Sequence, residues 1–239
     1  MNALLFAADF VIFTPSHLVA IAVTIVLAAG LPVLAKRAGS ERLLHATAWA
    51  LAVALVANDV FRCGYIITFR GWDLFVELYL PLHFCGLATY LTAFTLIARR
   101  QVPYEVAYYW GMSGATLAIL TPAIQESYPS FEFFTFFVGH SGIVIGVCFA
   151  TFALGMRPRF VGVWITVVVS SCVSIVLGMI NQLLGSNYMF THEAPKSASP
   201  LFFLAWPWYI PFIASVAVAL FHLLWLPWGI GWIFRRDKP

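Results

Sequence analysis

Leu80-Pro81-Leu82-His83-Phe84-Cys85-Gly86 opens an apolar run that continues to about Ala98. About 20 apolar residues are enough to cross a bilayer as a helix. A proline, a histidine and a cysteine stand just inside the start of this one. Polar side chains are costly in hydrocarbon, and they usually face a bundle interior or a wet cavity. The stretch therefore predicts a membrane-spanning helix with reactive groups near one membrane surface.

Composition extends that reading to the whole chain. Of the 239 residues, 62% are hydrophobic and only 10% are charged, against about 25% charged in soluble domains. So few charges cannot clothe a water-facing surface. No linker or low-complexity tract interrupts residues 1–239, which read as a single transmembrane helical domain. Met1–Ser16 has no basic residue before its short apolar run and no small-residue cleavage pattern, so no removable signal is expected. The net charge of +3 resides in short loops and is no nucleic-acid footprint.

Seven segments are long and apolar enough to span: 17–35, 43–69, 79–98, 104–121, 132–154, 161–184 and 201–226. None shows the alternation of a membrane barrel, so helices must satisfy the backbone. The expected fold is an all-α seven-transmembrane-helix bundle. Ten of the 13 Lys and Arg residues follow spans one, three, five and seven: Lys36, Arg37, Arg42, Arg99, Arg100, Arg157, Arg159, Arg235, Arg236 and Lys238. Only Arg70 and Lys196 lie in the opposite loops, with Arg62 inside a span. The positive-inside rule then puts the N-terminus outside and the C-terminus in the cytoplasm. The expected location is the cell's inner (plasma) membrane, multi-pass. Trp72, Trp206, Trp208 and Tyr209 near one surface, and Trp225, Trp228 and Trp232 near the other, fit headgroup-depth anchors.

The polar residues inside the spans are one-sided. At about 1.5 Å per residue, Cys85 lies about 9 Å and His140 about 12 Å in from the predicted outer surface. Asn58, Asp59 and Arg62 occupy the outer half of the second span, and His17 begins the first. Asn181, Gln182, Asn187 and His192 cluster near the same surface. Asp59 and Arg62 are three apart, hence neighbours on one helix face. They read either as a self-neutralising pair or as an anion site built on the guanidinium. His83 and Cys85 are about 200° apart around a helix, so a base for Cys85 must come from another span. His140 matches its depth and His17 is the alternative. A Cys–His pair makes thiolate near neutral pH; the bland reading is a packed cysteine and a hydrogen-bonded histidine.

Cys63, Cys85, Cys148 and Cys172 all lie in apolar segments without disulfide or zinc spacing. His17, Asp59, His83, Cys85 and His140 are metal-ligand types, but no HExxH or CxxC spacing joins them, so no metal or other cofactor is expected. Gly142 and Gly146 suggest close helix packing.

Leu80-Pro81-Leu82-His83-Phe84-Cys85, Trp110-Gly111, Leu120-Thr121-Pro122, His140, Asn187-Tyr188-Met189-Phe190 and Trp206-Pro207-Trp208-Tyr209 follow one another in an order that resembles the YwaF-type integral membrane family. The resemblance covers about residues 17–209. It implies a relation to a eukaryotic branch of membrane acyltransferases that place polyunsaturated acyl chains on ether phospholipids. Carried over by motif, the implied active residues are Cys85 and His140. The expectation is an acyltransferase or acyl hydrolase of membrane lipid metabolism that uses this Cys–His pair, in an outward-facing intramembrane cavity, on a phospholipid or acyl-lipid. Asn58, Arg62, His83, Asn187 and Tyr209 are the candidate substrate-binding residues. The rival expectation is a non-enzymatic bundle that binds or transports a lipid or small ligand. Oligomeric state is open.

Overall fold

The computed structural model describes residues 9–195 and 202–236, with side chains described to residue 230. Residues 1–8 of the signal reading, together with Lys196, Leu201 and Lys238, lie outside the described residues, as does the side chain of Trp232. The described chain is helical almost throughout. The elements are α1 (Pro15–Arg37), α2 (Glu41–Arg70), α3 (Trp72–Leu74) running into a π turn (Phe75–Tyr79), and α4 (Phe84–Ala98). Next come α5 (Gln101–Trp110), a second π turn (Gly111–Ala115) and α6 (Thr116–Leu120). The last are α7 (Phe131–Phe152), α8 (Phe160–Leu184), a 3-10 turn (Tyr188–Phe190) and α9 (Tyr209–Arg236).

Local chemistry sets the boundaries. Pro15 opens α1, where a missing N–H costs nothing. Ser40 and Ser130 cap α2 and α7, accepting from the amides of Leu43 at 3.3 Å and Phe133 at 3.0 Å. Gly185 closes α8 at φ 65°. Arg99 closes α4 in the same left-handed region, at φ 50°.

Helix α7 is the hub. Of its apolar window 56% is buried, against 11–22% for the windows of α1, α2, α8 and α9. A Cβ on Gly142 would stand 2.8 Å from Leu55 of α2, and one on Gly146 would stand 2.6 Å from Thr92 of α4. Glycine at both positions lets the three helices close on one another.

Among the described residues, five helices are long and apolar enough to cross a membrane, or six if a bent pair counts as one span. The predicted spans 79–98, 104–121 and 201–226 are where sequence and structure differ; the last is helical only from Tyr209, after the turn at Trp206–Trp208 that carries Pro207. The third does not start at residue 79. Trp72–Tyr79 and Phe84–Ala98 meet at 84°, because Pro81 has no amide to continue the helix and biases Leu80 to extended backbone. The fourth is helical from Gln101 to Leu120 but is built in three parts around the π turn at Gly111–Ala115.

Candidate functional site

The corner at Leu80–His83 builds the site. Leu80 and His83 are extended, at ψ 143° and 153°, and His83 is the cap of α4. Phe84, Cys85 and Gly86 are then its first three helical residues. A Cβ on Gly86 would lie 2.8 Å from three backbone atoms of Pro81. Only glycine lets the corner fold back onto the first turn. The Phe84 amide donates to the Met189 sulfur at 3.3 Å. Among the described residues the amides of Cys85 and Gly86 have no hydrogen-bond partner. They form the positive end of the helix, directly beside the thiol.

The thiol faces the second π turn. Its sulfur is 3.9 Å from where a Cβ would stand on Gly114. On the α7 side of that turn, a Cβ on Gly111 would meet Ile143 at 2.9 Å and Val147 at 3.3 Å. His140 lies one turn nearer the corner end on that face of α7, as Gly114 does relative to Gly111. Cys85 packs on this turn from α4, and α7 meets it through Ile143 and Val147; among the described residues no hydrogen bond joins the Cys85 thiol to His140. Nδ1 of His140 is 2.8 Å from the carbonyl oxygen of Phe136. A carbonyl only accepts, so Nδ1 carries the proton and Nε2 keeps the lone pair. The ring also lies against the Phe136 ring, with centroids 4.1 Å apart.

His17 is arranged differently. It is fully buried; Nδ1 accepts from the Phe13 amide at 2.9 Å and Nε2 donates to the Ile119 carbonyl at 2.8 Å. Both nitrogens are engaged, which leaves no lone pair for a thiol proton.

Asp59 and Arg62 pair at 2.8 Å. The other carboxylate oxygen of Asp59 accepts from the Tyr90 hydroxyl at 2.6 Å. Arg62 also donates to the Tyr79 carbonyl at 3.2 Å, tying α2 to the corner. Its Nη1 has no partner among the described residues, so the guanidinium keeps free donors. The Asn58 amide donates to the Thr135 carbonyl of α7 at 3.1 Å.

The remaining candidates hold a strap over the corner. Asn181, buried at the end of α8, donates to the Tyr188 carbonyl and the Thr191 hydroxyl, and accepts from the Tyr188 amide and the Ser186 hydroxyl. The Tyr188 hydroxyl donates to the Val76 carbonyl at 2.7 Å and accepts from the Leu80 amide at 3.1 Å. Burial raises its pKa, so it stays a donor. Nδ1 of His83 accepts weakly from the Met189 amide at 3.4 Å. Asn187 bonds within its own loop, to His192 and Glu193, and buried Tyr209 donates to the Phe190 carbonyl. Met189 and Phe190 both sit at positive φ, 61° and 54°. His83, Asn187 and Tyr209 are therefore used to shape the strap.

Sequence reasoning missed Tyr90 and gave no role to Gly86 or Met189, although both lie in the quoted motifs. A Pro-x4-Gly spacing around a proposed helix start is the signal that could have flagged Gly86. Also missed was the lock at the opposite, basic end. There Glu105, fully buried, accepts from Gln101 and from the backbone and guanidinium of Arg159 at 2.8–3.0 Å. Among the described residues no three His, Cys, Asp or Glu side chains are grouped to hold a metal ion.

The sequence model of the TMEM164 family, a family of transmembrane proteins, matches residues 12–225, and the chain belongs to that family. No curated protein and no solved structure matches it.

Proposed function

We propose that this TMEM164-family membrane protein is a lipid acyltransferase or acyl hydrolase, with Cys85 as nucleophile and His140 as base. What supports the reading is a thiol in the first turn of α4 that lies against the second π turn, beside two amides unpartnered among the described residues, with His140, its Nε2 free of partners among them, one helical turn along α7 from the residues packed on that π turn. The ordered motifs resembling the YwaF-type family support the same pair.

In the first half-reaction His140 Nε2 takes the thiol proton as the sulfur attacks the ester carbonyl. The Cys85 and Gly86 amides face the developing oxyanion. The ester C–O bond breaks, and the departing alcohol takes the proton from His140, leaving an acyl thioester. In the second half-reaction His140 takes a proton from the acceptor hydroxyl or from water. That oxygen attacks the thioester, the C–S bond breaks, and the proton returns to the sulfur. Arg62, with its free Nη1, and Asn58 orient the anionic headgroup.

Counting Gln101–Leu120 as a span gives the seven-helix bundle. The proposed orientation, supported by the basic loops, has the N-terminus outside, the C-terminus in the cytoplasm and the site under the outer surface, and the proposed location is the plasma membrane. The test is thiol labelling of the purified protein with an iodoacetamide probe. Cys85 should label fastest, and His140→Gln should slow it selectively. Equal, slow labelling of all four cysteines would favour a passive lipid- or ligand-binding bundle.

A further inference from the structure

We infer that a groove between α2 and α4, at the basic end of the bundle and far along α4 from Cys85, binds the phosphate of an anionic phospholipid. The groove has a volume of about 280 Å³ and is lined by His45, Ala48, Trp49, Leu96, Ile97 and Arg99. Its floor is closed by Ala48 and Leu96, each 1% exposed. Its flanks are apolar and open: Trp49 is 54% and Ile97 42% exposed. A headgroup needs cations at the mouth, and an acyl chain needs an apolar wall running toward mid-membrane. Both are present in that order.

Arg99 is the informative residue. It ends α4 at φ 50°, a position where glycine is the ordinary choice and any side chain is strained. Among the described residues its side chain makes neither an ion pair nor a hydrogen bond. A strained, unpaired arginine at the mouth of a groove is suited to a phosphate, which takes a guanidinium as a two-pronged donor. His45 supplies a second donor from the first turns of α2, whose N-terminus favours anions. The exposed Glu41 carboxylate lies 3.9 Å from its Nε2, too far for a hydrogen bond. Trp49, one turn on, sits beside them as an interfacial anchor. A zwitterionic lipid offers the same phosphate but adds a cation that Arg99 repels, so the occupant is an anionic phospholipid.

The test is native mass spectrometry of the full chain, delipidated in detergent and offered equal amounts of phosphatidylglycerol and phosphatidylcholine with identical acyl chains. The expected result is a preference for phosphatidylglycerol on the order of fivefold. Arg99→Gly suits the left-handed backbone, so it should fold normally and bring the ratio close to one. Arg157→Gln removes the same charge elsewhere at the basic end and should leave the preference intact. Should Arg99→Gly not fold, His45→Gln reads the same loss. The inference is overturned if the wild type shows no preference, or if Arg99→Gly (or its substitute) keeps it. It is equally overturned if Arg157→Gln loses as much, which would mean diffuse charge, or if millimolar inorganic phosphate abolishes phosphatidylglycerol retention, which would mean a site for a free anion.

Discussion

His140 donates its Nδ1 proton to the carbonyl oxygen of Phe136, one turn earlier on α7, at 2.8 Å. That contact fixes the tautomer and the ring plane together, and leaves Nε2 as the nitrogen able to receive a proton. His17, the alternative base, has both nitrogens committed to Phe13 and Ile119. The two histidines therefore predict opposite mutant phenotypes.

His140→Gln is predicted to lower turnover about 10²- to 10⁴-fold, the range for loss of a positioned general base, with little change in melting temperature. His17→Ala should instead destabilise the fold by about 2–4 kcal/mol, because it opens a cavity and orphans a buried carbonyl and an amide. Parallel assays of acyl release and thermal unfolding check both. A His17→Ala protein that melts normally but is inactive would reverse the assignment.

Gly86→Ala is predicted to disrupt the corner. Its Cβ would meet three backbone atoms of Pro81 at 2.8 Å, and backbone cannot swing aside as a side-chain tip can. Gly64→Ala is the control: nothing lies within 4 Å of its Cβ, and alanine favours a helix interior by about 1 kcal/mol over glycine. Melting curves should separate the two, with Gly86→Ala lower than wild type and Gly64→Ala equal or higher.

Arg62→Ala leaves the Asp59 carboxylate, 8% exposed, with Tyr90 as its main partner. Breaking a fully buried pair costs about 3–5 kcal/mol. Arg62 is itself 23% exposed, so about 1–3 kcal/mol is expected here. Arg62→Ala with Asp59→Asn should recover part of that stability without recovering turnover. Full recovery of turnover in the double variant would show that Arg62 only neutralises Asp59.

Asn181→Ala removes the side chain that holds both backbone groups of Tyr188. Hydrogen exchange should rise across residues 186–192 and at the Phe84 amide, which the strap reaches through Met189. Unchanged protection at Phe84 would mean that the strap does not depend on Asn181.

Much of this architecture was legible beforehand because hydropathy and charge asymmetry are local properties. The apolar runs at 17–35, 43–69, 132–154 and 161–184 became helices long enough to span, and the run at 201–226 did so only from Tyr209 onward. The pairing of Asp59 with Arg62 followed from a three-residue spacing, and the close approach at Gly142 and Gly146 from their side-chain size. The 84° corner was less legible. Apolarity runs unbroken through Leu80–Leu82, so the span at 79–98 looked continuous although Pro81 marked the break. The functions of His83, Asn187 and Tyr209 were not legible at all. A polar residue near a membrane surface reads the same from sequence whether it meets a ligand or, as here, backbone groups of its own or another segment. His17 and His140 differ in tautomer and in whether the second nitrogen is engaged, and the contact that engages it in His17 joins residues 102 apart.

The most direct measurement is the intact mass of the purified protein after incubation with a phospholipid carrying a labelled acyl chain. The account predicts a mass increase of one acyl group, mapped to Cys85, released by hydroxylamine and absent from Cys85→Ala. A wild-type protein that turns over lipid without any adduct at Cys85, or a Cys85→Ala protein that retains full turnover, would contradict it.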